Sequence, residues 1–176
     1  MNSLIEYMNI LDKIIDNGHY LEFRQGVSDD DVSKINSILK PQRLSVELET
    51  LYKWKNGCIT ESFDDIPALG FRLLPFEESL IVLNEYKSNT IFDEKRYLPI
   101  GDMDGALILA LLDSEEVFES EVCVFLFEED SLYLWHESIT KLIQTSINIC
   151  SVEDNNGETY DDVRLKYSPN AEVGFW

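Results

Sequence analysis

The sequence predicts an α+β domain in which helices bracket a mainly antiparallel sheet. Three observations carry this. Apolar residues recur at helical spacing before Gly57, strand-like runs follow from Phe71 to Trp135, and a helical stripe returns after Ser138. Neighbouring strands that do not alternate with helices argue against a parallel sheet.

The elements follow in order. Ser3 and Glu6 fit a capping box, and Leu4, Met8, Leu11, Ile14 and Ile15 form one face, so a helix is expected over Ser3–Asn17 with Gly18 as its stop. Ser28 opens a second helix, Ser28–Leu39. Asp29, Asp30 and Asp31 suit the positive end of its dipole, which reads as capping and not as a metal cluster. Ser45 caps a third helix, Ser45–Lys55, closed by Asn56-Gly57, with Trp54 expected to be mostly buried against the sheet. Phe63–Pro67 reads as a loop, Phe71–Leu74 as a short strand, and Pro75–Tyr86 as a helix with Glu77 and Glu78 in its first turn. Ser88–Lys95 reads as a polar surface loop.

Tyr97–Ile100 is strand-like. Ala106–Leu112 is continuously apolar, as in a strand covered on both faces. Val122–Phe127 and Leu132–Trp135, joined by Glu128, Glu129, Asp130 and Ser131, make a hairpin with an acidic turn. Ser138 caps a closing helix with Ile139, Leu142, Ile143, Ile147 and Cys150 as its stripe. Residues 1–150 are expected to form the domain, helix 3–17 included, and residues 151–176 a C-terminal extension. In that extension Val163, Leu165 and Tyr167 alternate, so an added edge strand is possible there, and the apolar Val173, Phe175 and Trp176 could dock on the domain.

A chain of 176 residues with 44% hydrophobic and 11% aromatic content can bury a core of ordinary size. Its formal net charge is -20. Residues 1–60 carry a net of -2, 61–111 a net of -6, 112–162 a net of -13, and 163–176 a net of +1. Such a chain repels phosphate backbones and anionic membrane surfaces and attracts basic proteins. Solubility alone is the alternative reason for the charge. Nucleic-acid and membrane partners are therefore not expected. No apolar run approaches the roughly 20 residues of a membrane span. The first residues lack a positive n-region and a cleavage site, so a signal peptide is not expected. Cys58, Cys123 and Cys150 are odd in number and widely spaced, which points to buried reduced thiols and a cytoplasmic setting.

Catalysis is not expected. Only His19 and His136 are available as histidines, and pairing either with a cysteine needs a coincidence of folding. Asp102 and Asp104 could form a carboxylate pair, yet turn chemistry accounts for both. Neither Asp102–Gly105 nor Asp154–Glu158 has the ligand spacing of a calcium loop, and there is no glycine-rich phosphate loop. No metal or cofactor is expected. The candidate partner-binding residues are acidic: Glu115, Glu116, Glu119 and Glu121 before the strand at Val122, and Glu128, Glu129 and Asp130 at the hairpin turn. Chain connectivity places the two groups at opposite ends of one strand, about 20 Å apart.

Several short motifs, in order, resemble the SUKH superfamily, the Smi/Knr-type domain, over roughly residues 27–149. They are Ser28-Asp29-Asp30-Asp31-Val32, Trp54 with Asn56-Gly57, Phe71-Arg72-Leu73-Leu74-Pro75 with Glu77-Glu78-Ser79-Leu80, Leu98-Pro99-Ile100-Gly101-Asp102, and Ser138 with Leu142 and Ile143. Leu44-Ser45 departs from the family's usual Leu-Pro. The resemblance implies an intracellular protein-binding domain without a catalytic set. It implies an immunity protein that neutralises a polymorphic toxin by direct binding, the toxin domain being basic and nuclease-like. The alternative is a regulatory or scaffold protein of the Smi/Knr type with no toxin partner.

Overall fold

The computed structural model describes residues 2–16, 22–59, 68–86, 89, 96–103, 105–113, 118–151 and 159–172. Its element order is α1 (Asn2–Ile15), β1 (Phe23–Gln25), α2 (Asp29–Leu39), α3 (Val46–Trp54), β2 (Lys55–Cys58), β3 (Arg72–Leu73), α4 (Phe76–Glu85), β4 (Tyr97–Met103), β5 (Ala106–Leu111), β6 (Val122–Leu126), β7 (Ser131–His136), α5 (Ile139–Ser151) and α6 (Tyr160–Tyr167). The architecture is α+β. Strands β3-β4-β5-β6-β7 form one antiparallel sheet in sequence order, and β1 and β2 form a separate antiparallel ribbon.

Helix starts follow the side chains that can cap them. The Ser28 hydroxyl accepts from Asp31 N, while an Asp31 carboxylate oxygen accepts from Ser28 N and Oγ. These bonds, with Lys34 alongside, hold the Asp31 carboxyl at about 2, below the usual carboxylate range. Ser45 Oγ accepts from Leu48 N, and Ser138 Oγ accepts from Lys141 N. The expected Ser3–Glu6 box does not form, because α1 begins at Asn2 and Ser3 lies inside its first turn.

The sheet has two covered faces. Ala106, Ile108 and Ala110 of β5 and Val122 and Val124 of β6 join Leu4, Met8 and Leu11 of α1, Leu48, Leu51 and Tyr52 of α3, and Leu142 and Ile143 of α5 in the main core. Leu107, Leu109, Cys123 and Phe125 face the other way, beneath Val82, Leu83 and Tyr86. This is why β5 carries no polar alternation. The sheet curls enough for Phe71, beside edge strand β3, to meet Trp135 on β7, with ring centroids 5.9 Å apart.

Three further expectations are corrected. Asn56-Gly57 does not cap α3. The helix ends at Trp54 and both residues lie in β2, where Gly57 takes φ +82° and a Cβ would meet Pro75 N at 2.2 Å. Asn56 Oδ1 instead accepts from Phe76 N and starts α4, whose own preceding residue is Pro75 and supplies no side-chain cap. Trp54 is only partly buried and does not pin α3 to the five-stranded sheet. Its Nε1 donates to Asp12 Oδ2 at 2.8 Å, and its ring leans on Phe23 at 5.5 Å, so it joins α1, α3 and the ribbon. It falls well off the stripe of Leu48, Leu51 and Tyr52, as helical spacing dictates. The extension residues 160–167 are a helix and not an edge strand: the Thr159 hydroxyl accepts from Asp162 N, and Asp162 accepts back from Thr159 N.

Candidate functional site

Connectivity does place the two acidic groups apart. Glu119 and Glu121 precede β6, while Glu128, Glu129 and Asp130 form the turn after it, and all five are exposed. The five residues of β6 separate them by about 16 Å at ~3.3 Å per residue. Glu115 and Glu116 lie outside the described residues. So do His19, Asp104, Phe63–Pro67, Asp154–Glu158 and the apolar end Val173, Phe175 and Trp176; of the stretch 88–95 only Asn89 is described.

The hairpin turn is ordered by its own polar groups. Asp130 takes a left-handed φ of 48° and its Oδ1 accepts from Asn89 Nδ2 at 2.8 Å. The Tyr133 hydroxyl donates to Glu129 Oε2, and that bond is the first cause of the upward shift of the Tyr133 phenol. Both partners are neutral, so the turn keeps its negative charge.

At the other end of β6, where Glu119 and Glu121 are exposed, two further acidic side chains are absorbed by the fold. Glu47, 6% exposed, accepts from Ser120 N at 2.8 Å, Ile139 N at 3.1 Å, Thr140 N at 3.0 Å and Thr140 Oγ1. A carboxylate from α3 thus satisfies the first N–H groups of α5, where the helix dipole favours negative charge. Asp113 is likewise held: its Oδ2 accepts from Arg43 Nε at 3.0 Å, beside a two-way backbone bridge. A depression of about 520 Å³ here is lined by Tyr7, Thr50, Phe118, Glu119, Lys141 and Gln144 among others, with Phe118 70% exposed at its side.

Residues singled out for possible chemistry are otherwise engaged. Asp102 is a cross-strand ion-pair partner: Arg72 Nε donates to its Oδ1 at 2.9 Å and Nη2 to its Oδ2, while Nη1 donates to Glu78 Oε2 at 3.1 Å. This arrangement raises the already high pKa of the guanidinium. His136 is fully buried. Its Nε2 lies 3.3 Å from the Tyr160 hydroxyl, and Nδ1 has no hydrogen-bond partner. Burial, with a smaller push from Arg164, lowers its pKa to about 3, so the ring is neutral at physiological pH. Cys58 and Cys123 are buried free thiols and Cys150 is a partly buried one. Burial pushes Cys123 up to about 12, the opposite of an activated nucleophile.

One feature was missed by sequence reasoning. Gly70, Met103, Trp135, Thr159, Tyr160 and Asp161 line an open, mainly apolar pocket of about 370 Å³. Trp135 and Tyr160 stack there, with centroids 5.7 Å apart and planes at 23°. Arg164, fully buried, fastens α6 beside it. Its Nη1 donates to Trp135 O at 2.9 Å, Nη2 to Asp161 Oδ1 and Glu172 O at 2.8 Å each, and Nε to Asp161 Oδ1 at 3.0 Å. The spacing Thr159-x-x-Asp162 was the available signal for this helix.

No described helix is long and apolar enough to cross a membrane. Compared with known proteins, the chain matches no protein-family model and no curated protein.

Proposed function

We propose that this chain is a protein-binding domain of the SUKH, Smi/Knr-like kind, acting as an immunity protein that neutralises a basic toxin domain by direct binding. The observation that carries the reading is charge. The molecule has a net of -20, and the segment 112–162 contributes -13 of it. Within that segment the turn acids Glu128, Glu129 and Asp130 are exposed and face no cation in the hydrogen bonds they make. A field of this sign raises encounter rates with a basic protein and opposes binding to phosphate backbones. A nuclease-like toxin is basic where it holds phosphate, and an acidic surface can occupy that place.

The reading is non-catalytic. Asp102 is tied to Arg72, and His136 is buried and neutral. It calls on no cofactor and no metal, and it places the protein in the cytoplasm beside the toxin's targets. A regulatory or scaffold role in the Smi/Knr manner remains the alternative, with the same surface used for another basic partner.

The test is genetic and then physical. The gene beside this one in its host is expressed with and without this chain. The reading predicts that the neighbour's product is toxic alone, is harmless with this chain, and forms a purified complex with it. A harmless neighbour that forms no complex would contradict the immunity reading.

A further inference from the structure

We propose that the aromatic pair Tyr86–Phe127 and the acidic turn that follows Phe127 form one docking surface, and that its occupant is an arginine side chain on a basic segment of the partner. The inference rests on the proposed protein-binding function and names where, and through what chemistry, the contact is made.

Ring contacts and hydrogen bonds join the pair to the turn. Phe127 directly precedes Glu128, Glu129 and Asp130. Its backbone N donates to Gly105 O at 3.5 Å, which fixes it just beyond the end of β6. Phe125, two residues earlier and 2% exposed, meets the Phe127 ring edge-on at 5.7 Å and the Tyr86 ring edge-on at 6.4 Å. Tyr86, at the end of α4, stacks on Phe127 with centroids 5.6 Å apart and planes at 28°. Asn89 ties the same helix end to the turn: its N donates to Tyr86 O at 2.9 Å and its Nδ2 to Asp130 Oδ1 at 2.8 Å. The rings and the carboxylates are thus held together before a partner arrives, which lowers the ordering cost of binding.

The surface leaves two kinds of contact unsatisfied. Phe127 is 41% exposed although its ring already carries Tyr86. Glu128, Glu129 and Asp130 are exposed and form no ion pair among the described residues. An occupant that satisfies both needs a flat surface for the ring and a positive charge beside it. Arginine offers both in one group. Its guanidinium is planar and weakly hydrated, lies on aromatic faces, and presents a fork of N–H donors that matches a carboxylate. The ammonium of lysine is compact and strongly hydrated and makes no fork. Anionic occupants are opposed by the turn and by the net charge of -20. Phe118, the other exposed aromatic among the described residues, is a poorer seat. It has no ring partner among those residues, and the depression it lines contains the cation Lys141.

The experiment titrates the full chain with three pentapeptides by ¹H–¹⁵N NMR at low salt: Gly-Arg-Gly-Arg-Gly, Gly-Lys-Gly-Lys-Gly, and the first with both arginines replaced by citrulline. Citrulline keeps the planar end group and removes its charge. The arginine peptide is expected to bind about five-fold tighter than either other peptide and to move the amides of Phe127, Glu128, Glu129 and Asp130. Phe127→Leu keeps an apolar side chain without the ring. It should bring the arginine peptide down to the affinity of the lysine peptide and leave the lysine peptide unchanged. If that variant fails to fold, the ratio of arginine to lysine affinity in the parent decides. Equal affinity for the arginine and lysine peptides, or an arginine preference that survives in Phe127→Leu, would overturn the aromatic seat. Equal affinity for the arginine and citrulline peptides would show that the turn acids take no part and also overturn it. Shifts confined to Phe118, Glu119 and Glu121 would move docking to the other end of β6 and overturn it too. A product of the neighbouring gene that binds the parent and Phe127→Leu equally would sink this inference and leave the broader function standing. A product that binds neither would sink that function, with the peptide series still deciding the surface.

Discussion

The two ends of strand β6 differ in how the fold employs acidic residues: both expose some, with Glu119 and Glu121 at one end, but only one end also buries them. Toward Val122, Glu47 and Asp113 are buried and bonded, and they tie α3, α5 and the chain at Arg43 to the sheet. Toward Leu126, Glu128, Glu129 and Asp130 stand in solvent. Burial of a carboxylate is tolerable only where several N–H groups converge on it, as at the start of α5. A tight exposed turn offers no such donors, so its charge projects outward. Net charge is thus a poor guide to interaction surfaces until the structurally employed acids are subtracted.

The largest effect should come from the first of these ends. Glu47→Ala removes a carboxylate that takes three backbone donors and one hydroxyl, and leaves Ile139 N and Thr140 N at the start of α5 without their acceptor. A loss of about 4 kcal/mol is expected, measured by urea unfolding. A loss under about 1 kcal/mol would mean that water replaces the carboxylate and that this end is less structural than described.

Next is the latch beside the pocket. Arg164→Met retains bulk but removes bonds to Asp161, Trp135 O and Glu172 O, and should cost about 3 kcal/mol. Hydrogen exchange should show the loss concentrated in α6, with β5 and β6 still protected. Uniform loss of protection would show that α6 is integral to the core and not fastened onto it.

A smaller effect is pH-dependent. The pKa of His136 is about 3 folded and ordinarily near 6.5, so the unfolded chain binds the extra proton between those values. Its contribution is therefore complete above pH 6.5 and falls as pH decreases toward 3. Between pH 7.5 and 5.5 the chain should lose about 1.4 kcal/mol through this group. His136→Gln should flatten that interval, whatever its effect on stability at pH 7.5. An unchanged slope would place the titration elsewhere.

Much of the fold was legible because its determinants are local. Ser28, Ser45 and Ser138 mark helix starts with hydroxyls that cap within three residues. The apolar run Ala106–Leu111 betrays a strand buried on both faces. The ribbon β1–β2 was not legible, since Phe23–Gln25 is three residues long and shows no period. Helix α6 runs where the alternation of Val163, Leu165 and Tyr167 suggests a strand, because Thr159 and Asp162 form a capping box and Val163 and Tyr167, four apart, share a helix face. The acidic turn could be placed from connectivity alone. The pocket could not, because Gly70, Met103, Trp135 and Tyr160 meet only through sheet curvature and the docking of α6.

The central claim is that the turn end, and not the Val122 end, meets a basic partner. Its most direct test compares two charge reversals, Glu128→Lys with Glu129→Lys and Asp130→Lys, and Glu119→Lys with Glu121→Lys. Association rates with the neighbouring gene's product are measured by stopped flow from about 0.03 M to 0.5 M salt. At low salt the turn-reversed protein should associate at least ten-fold more slowly than the parent, with the gap closing as salt screens the field, while the other variant changes about three-fold or less. Equal slowing by both variants, or slowing by the Glu119 and Glu121 variant alone, would contradict the account.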